Sequence, residues 1–156
     1  MIGCREDAEL IGEWDDYYPL PSGWDKLGEG DERIAYLSPD GIVYKVELTV
    51  NGANSTEYFN ICKIELMETV ENWRVPKASL YVIDKFHSVI AMEYIQGTGA
   101  TFCESTYRNV SCTCNEFPCV GIEWEMIGEL WGVTDLHSDN IRQLPDGTKV
   151  LVDVTR

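Results

Sequence analysis

Gly132-Val133-Thr134-Asp135-Leu136-His137-Ser138-Asp139-Asn140-Ile141 leads, through Arg142-Gln143-Leu144, into Pro145-Asp146-Gly147-Thr148 and then Lys149-Val150-Leu151-Val152-Asp153. Pro-Asp-Gly-Thr between two apolar segments is a strong turn signal, so residues 141–144 and 149–152 are expected to pair as a hairpin. That hairpin returns Asp153 to the neighbourhood of Asn140. A loop that folds back after Asp135 aims its carboxylate at a hydroxyl, while Asn140 offers an amide oxygen to a hard cation. Oxygen ligands of this kind suit magnesium. The same residues also have a plainer use, in which Asp135 and Asp139 cap turns and Asp153 ends a strand.

Upstream, Leu27-Gly28-Glu29-Gly30 precedes Ile34-Ala35-Tyr36-Leu37, then Ser38-Pro39-Asp40-Gly41 and Ile42-Val43-Tyr44-Lys45-Val46. The pattern reads as strand, glycine turn, strand, tight turn, strand. Glycines after a first strand let backbone amides approach phosphates, and a lysine inside a third strand reaches the same phosphates as a point charge. The plain alternative is a common G-x-G turn and a solvated edge lysine. Asn54-Ser55-Thr56-Glu57 opens a helix expected to run to about residue 71, with apolar positions at Tyr58, Ile61, Cys62, Ile64, Leu66 and Met67. Asn54 with Glu57 fits a capping box; the functional reading makes Glu57 the partner of Lys45, with Glu65 in reserve on the face of Ile61. Two further strands are expected over 77–82 and 88–95, ended by Gln96-Gly97. Five strands and one helix thus precede the loop at Asp135.

In this order the chain resembles the protein-kinase-like superfamily, and most of all the short kinase-like proteins encoded by bacteriophages, over roughly residues 27–153. The resemblance implies an α+β fold. Its kinase-like N-lobe would be a five-stranded antiparallel sheet with an αC-type helix, followed by a truncated C-lobe remnant. It implies ATP and Mg2+ as cofactors. Gly28 and Gly30 would then lie over the nucleotide phosphates, and Lys45 would pair with the αC-type Glu57. Glu93-Tyr94-Ile95 would be the hinge whose backbone holds adenine, with Met92 as gatekeeper. Asp135 would be the base, and Asn140 and Asp153 the magnesium ligands. The form Asp135-Leu136-His137-Ser138-Asp139-Asn140 is closer to aminoglycoside-phosphotransferase-like and other small-molecule kinases than to the eukaryotic protein kinases.

The chain departs from that pattern at particular residues. Val133 stands two places before Asp135 where the family has His, Arg33 replaces the third glycine, and Thr155 takes the place of the glycine after Asp153. Glu29, Asp31 and Glu32 in the glycine turn oppose a triphosphate unless magnesium or Arg33 offsets them. Because the chain ends at Arg156, the activation segment and the helices that hold a peptide substrate are expected to be missing.

A chain of 156 residues with 44% hydrophobic content suffices for one core, so a single domain is expected. Residues 24–156 would form the minimal kinase-like domain. Residues 1–23 read as an acidic appendage with one short helix, broken at Tyr17-Tyr18-Pro19-Leu20-Pro21. Residues 98–120 stand where a short connector is expected, and 121–131 should form a helix with Ile122, Met126, Ile127 and Leu130 on one face.

No run approaches the length of a membrane span, and the N-terminus lacks a basic start and apolar core, so a cytoplasmic protein is expected, in the host cytoplasm if phage-encoded. Free thiols are then the default for the six cysteines. Cys103, Cys112, Cys114 and Cys119 cluster without the usual two-residue gap of a zinc site, and His87 and His137 read as hydrogen-bonded surface or turn residues. A net charge of −15, from 27 acids against 12 bases, argues against direct nucleic-acid binding.

Two functions fit these features. One is a magnesium-nucleotide-binding, kinase-like protein that transfers phosphate to a protein or small-molecule hydroxyl. The other is a catalytically inactive acidic protein that imitates a phosphate backbone and inhibits a host protein. Trp14, Trp24, Tyr17 and Tyr18 beside Asp15, Asp16 and Asp25 would supply its contact surface. Lys45, a helix Glu, Asp135, Asn140 and Asp153 favour the first; the lost glycine, Thr155 and the end at Arg156 favour the second. Both expect a host protein partner.

Overall fold

Side chains alternate along β2 (Arg33–Leu37) and β3 (Ile42–Glu47), and this alternation sorts the two faces of the first sheet. The turn between them is closed by Gly41 N–H donating to the Ser38 carbonyl at 3.0 Å and Ser38 N–H donating to the Ile42 carbonyl at 2.9 Å. The computed structural model describes residues 1–99, 120–134 and 138–155. With β1 (Asp25–Glu29), β5 (Ala78–Val82) and β6 (Ser88–Glu93) these strands form a five-stranded antiparallel sheet in the order β1-β2-β3-β6-β5. The protein is therefore α+β, with the expected five-stranded sheet.

Register assigns the faces. Arg33 lies opposite Glu47 and Ala35 opposite Lys45, and Lys45 lies opposite Ile90, so all five share one face. Ile34, Tyr36, Tyr44, Val46 and Val89 point the other way. That second face is covered by α1 (Arg5–Gly12), whose Ala8 and Ile11 join Trp24, Ile34, Tyr36, Tyr44, Tyr81, Val89 and Ala91 in one buried cluster. Burying Ile11 alone contributes about 2 kcal/mol. Three tyrosines rising from the sheet fasten the N-terminal segment. Tyr36 donates to Asp16 Oδ1 at 2.9 Å, Tyr81 donates to the Ile2 carbonyl at 2.8 Å, and Tyr44 Oη accepts the Cys4 N–H at 3.1 Å. Burial pushes all three phenols up, which keeps them protonated. Residues 1–23 thus contribute a layer to this core, because the sheet face opposite Lys45 is apolar and α1 carries the apolar pair that fits it.

Where length suggests one domain, the chain divides into two compact units, one built chiefly from Met1–Lys63 and Pro76–Tyr94, the other from Ile64–Val75 and Ile95–Val154. The second holds a four-stranded sheet of β4 (Trp73–Arg74), β7 (Thr98–Gly99), β8 (Ile141–Gln143) and β9 (Lys149–Leu151) in the order β4-β9-β8-β7, with β4 parallel to β9. Asn72, at a φ of 65°, directs its carbonyl to the Lys149 N–H at 2.7 Å and so begins that parallel pairing. Gly97 lets its chain pass close to β8, since a Cβ there would lie 2.6 Å from the Gln143 carbonyl oxygen.

Two helices differ from expectation. α2 (Ala53–Glu65) stops short of residue 71. Met67 N–H bonds the Ile64 carbonyl three residues back, and β-branched Thr69 and Val70 follow. Among the described side chains of α3 (Val120–Trp131), Ile127 is buried as expected and Trp131 is buried with it, while Met126 and Leu130, expected on the same face, are 51% and 44% exposed. The large Trp131, one turn beyond Ile127, defines the buried stripe. Ile122 lies outside the described side chains.

Candidate functional site

The N-terminus of α2 is held to the first sheet by polar groups. Asn51 Oδ1 accepts the Ala53 N–H at 3.0 Å, and Glu47 Oε1 accepts the Asn54 N–H at 2.8 Å. A carboxylate at this end also complements the helix dipole. These groups do the work expected of an Asn54–Glu57 capping box, leaving both side chains for other partners. The Asn54 amide donates to the Lys45 carbonyl at 2.9 Å and the Ser88 carbonyl at 2.8 Å, tying α2 to β3 and β6.

Glu57 turns toward the sheet instead. Lys45 Nζ lies 2.8 Å from its Oε1 and 3.0 Å from its Oε2, and the Arg33 guanidinium bonds Oε2. Arg33 Nη1 also meets Asn54 Oδ1 at 3.5 Å. The Glu57 side chain is 0% exposed, against 13% for Lys45 and 11% for Arg33. A carboxylate stripped of water is costly unless strongly paired, and charge-assisted bonds from two cations supply that pairing. The lysine is fixed on its face of the sheet in return. Of the two candidate partners for Lys45, Glu57 is the one in contact; Glu65 is exposed.

The glycine turn lies one strand away. Gly30 N–H donates to the Arg33 carbonyl at 2.9 Å, and Gly28 pairs with Ala35 after a bulge between Lys26 and Gly28. A Cβ built on Gly28 meets nothing within 4 Å, so packing does not demand glycine there. Glu29, Asp31 and Glu32 are exposed, and Lys26 bonds Glu29. At the far end of β6, Met92 is buried and Glu93 N–H donates to the Lys77 carbonyl at 2.9 Å. Tyr94 and Ile95 are half-buried, and the chain passes from the first unit to the second between them.

In the second unit the hairpin forms where turn chemistry placed it. Leu144 N–H bonds the Thr148 carbonyl at 2.8 Å, and Asp146 accepts the Thr148 N–H at 2.8 Å, a bond that holds its carboxyl below the usual range. Ile141 pairs with Leu151, and Val152 N–H reaches the Asn140 carbonyl at 2.8 Å. The ladder therefore extends one step past β9 and brings Asp153 to the strand end where Asn140 sits. Asp135, His137 and the cysteines 103, 112, 114 and 119 lie outside the described residues. Val133 is buried, with its N–H on the Gly128 carbonyl at 3.1 Å.

Among the described residues no group of three or more His, Cys, Asp or Glu side chains is arranged to hold a metal ion, and no helix is long and apolar enough to cross a membrane. His87 pairs with Asp84 at 2.9 Å on the surface. The expected aromatic-acidic surface is smaller than the sequence suggests. Trp24 is buried against Tyr44 and Trp14 packs on the core, because the apolar sheet face draws both inward. Tyr17 and Tyr18 remain exposed, edge to face at 5.7 Å.

No protein-family model matches the chain, and no curated protein matches it. Sequence reasoning did not assign Arg33 or Glu47 to the Lys45–Glu57 cluster. The signal was the strand alternation itself, which sets Arg33, Lys45 and Glu47 on one face once β2 and β3 are paired.

Proposed function

We propose that this protein is a kinase-like phosphotransferase that binds a magnesium-nucleotide, its first sheet and α2 acting as a kinase-like N-lobe. The observation that carries the reading is the Lys45–Glu57 pair, joining the central strand β3 to the helix that follows it at 2.8 and 3.0 Å. A lysine oriented by a buried carboxylate is a fixed point charge suited to phosphate oxygens. Gly28 supports the reading, because glycine at a position that packing leaves open suits close approach by a ligand. Glu93, Tyr94 and Ile95 are assigned to the adenine and Gly30 to the phosphates.

In the second unit Asn140 and Asp153 stand at adjacent strand ends and are assigned as the magnesium ligands, an amide oxygen and a carboxylate being a donor set that suits an ion which takes few protein ligands beside phosphate oxygens. Bound there, the ion would neutralise phosphate charge. Asp135 is assigned as the base that accepts the proton of the acceptor hydroxyl.

Thermal unfolding with Mg·ATP tests the reading. At a hundred times its dissociation constant, a ligand of the folded state adds about 2.7 kcal/mol, or about 5–10 °C for a chain of this size. Gly28→Val should keep the unliganded melting temperature and lose the shift, and Asp153→Asn should lose its magnesium-dependent part. No shift at millimolar Mg·ATP would refute the proposal.

A further inference from the structure

We infer that Arg33 is a second phosphate-binding residue, acting beside Lys45 while Glu57 holds both, an inference that rests on the nucleotide-binding reading above. The register of β2 and β3 sets the two side chains on one face of the sheet. Lys45 Nζ lies 3.0 Å from Glu57 Oε2, and the Arg33 guanidinium bonds that same oxygen. Two groups bonded to one atom stand no further apart than two hydrogen-bond lengths, roughly 6 Å. One anionic group can therefore reach both cations without either leaving the buried carboxylate. The two side chains are exposed to nearly the same extent, 11% for Arg33 and 13% for Lys45, so what reaches the lysine reaches the arginine. Lysine carries three N–H donors and arginine five, and in each a bond to Glu57 is compatible with a bond to a phosphate oxygen.

The glycine turn is where such a residue is needed. Gly30 N–H is spent on the Arg33 carbonyl, at 2.9 Å, so Gly30 gives the phosphates room and not a donor. Glu29, Asp31 and Glu32 are exposed in the same turn, and like charge there works against a triphosphate. Arg33 follows these acids directly in the chain and brings the opposite charge to the face of Lys45. Glu47, a further carboxylate on that face, lies opposite Arg33 and accepts the Asn54 N–H at 2.8 Å, at the start of α2, where the helix dipole favours it. Glu57 and Asn54 Oδ1, the latter 3.5 Å from Arg33 Nη1, fix the guanidinium from the side of α2. A fork already held in place loses little freedom on binding, and its planar donors match phosphate oxygens where lysine offers a point charge.

Isothermal titration of the full chain with Mg·ATP and with adenosine, melting temperatures measured in parallel, tests the inference. Arg33→Gln should lower the affinity for Mg·ATP by roughly tenfold or more and that for adenosine by less than about twofold, because the bond lost is to a charged group that adenosine lacks. Arg33→Lys, which keeps the charge and loses the fork, should recover part of that loss. Should Arg33→Gln fail to fold, Arg33→Lys decides by the same comparison, with a loss for Mg·ATP that adenosine does not share.

Unchanged affinity for Mg·ATP, or equal losses for the two ligands, in a folded variant would overturn the role of Arg33 and leave the assignment of Lys45 standing. Absence of Mg·ATP binding by the wild type would overturn the nucleotide reading and the inference with it.

Discussion

Replacing Asn54 with alanine removes the polar bolt between α2 and the sheet. Its side chain is fully buried, and its amide donates two bonds, of 2.9 Å to the Lys45 carbonyl and 2.8 Å to the Ser88 carbonyl. Each bond is worth about 1 kcal/mol net, rising to about 1–3 kcal/mol where the acceptor left behind is buried. Alanine's better helix propensity returns roughly half a kcal/mol. The net cost is about 3 kcal/mol, which for a chain of this length lowers the melting temperature by about 6–12 °C. Calorimetric or circular-dichroism melting of Asn54→Ala beside Ser55→Ala, an exposed neighbour in the same turn, measures it. Ser55→Ala should stay within about 0.5 kcal/mol of wild type. If Asn54→Ala melts within about 2 °C of wild type, the bolt contributes nothing and the placement of Glu57 has another cause.

Tyr44→Phe strands the Cys4 N–H and removes the hydroxyl that lies 3.3 Å from Asp7 Oδ2, so it should cost about 1–2 kcal/mol in urea unfolding; an unchanged midpoint would mean that the N-terminal layer is held without it. The Asp84 carboxyl is held below the usual carboxylate range, first by the Phe86 N–H and then by the His87 ring. Its folded pKa being depressed, its contribution is present above the unfolded value of about 3.9 and is lost as pH falls through the folded value, below about pH 4. NMR titration should give an Asp84 midpoint below 3.9, and a midpoint at or above that value would refute the assignment.

The strands of the first sheet were legible because Gly-rich and Pro-Asp-Gly turns bound runs of clear period-two character, and the 141–151 hairpin for the same reason. Lys45 and Glu57 were legible as a pair because one lies in the third strand and the other opens the next helix. The cluster around them was not. In the sequence Arg33 stands at the place of a glycine, while its position in β2 sets it on the face of Lys45; Asn54 has the form of a local cap, while its bonds run to β3 and β6. Two-residue strands such as β4 and β7 carry too few positions for any periodic signal. The N-terminal layer escaped because its acidic residues suggested a solvated tail, while its affinity for the core comes from Ala8, Ile11 and Trp24 meeting a sheet face that exists only after the strands have paired.

Lys45, held by Glu57, is proposed as a nucleotide-phosphate ligand and not a structural charge. Isothermal titration of Mg·ATP into wild type and Lys45→Met, with melting temperatures measured in parallel, tests it most directly. Methionine keeps the packing of the lysine stem and loses the charge. If Lys45 binds phosphate, wild type binds saturably and Lys45→Met, still folded, loses at least tenfold in affinity, about 1.4 kcal/mol. No saturable binding by the wild type, or equal affinity in both proteins, would contradict it.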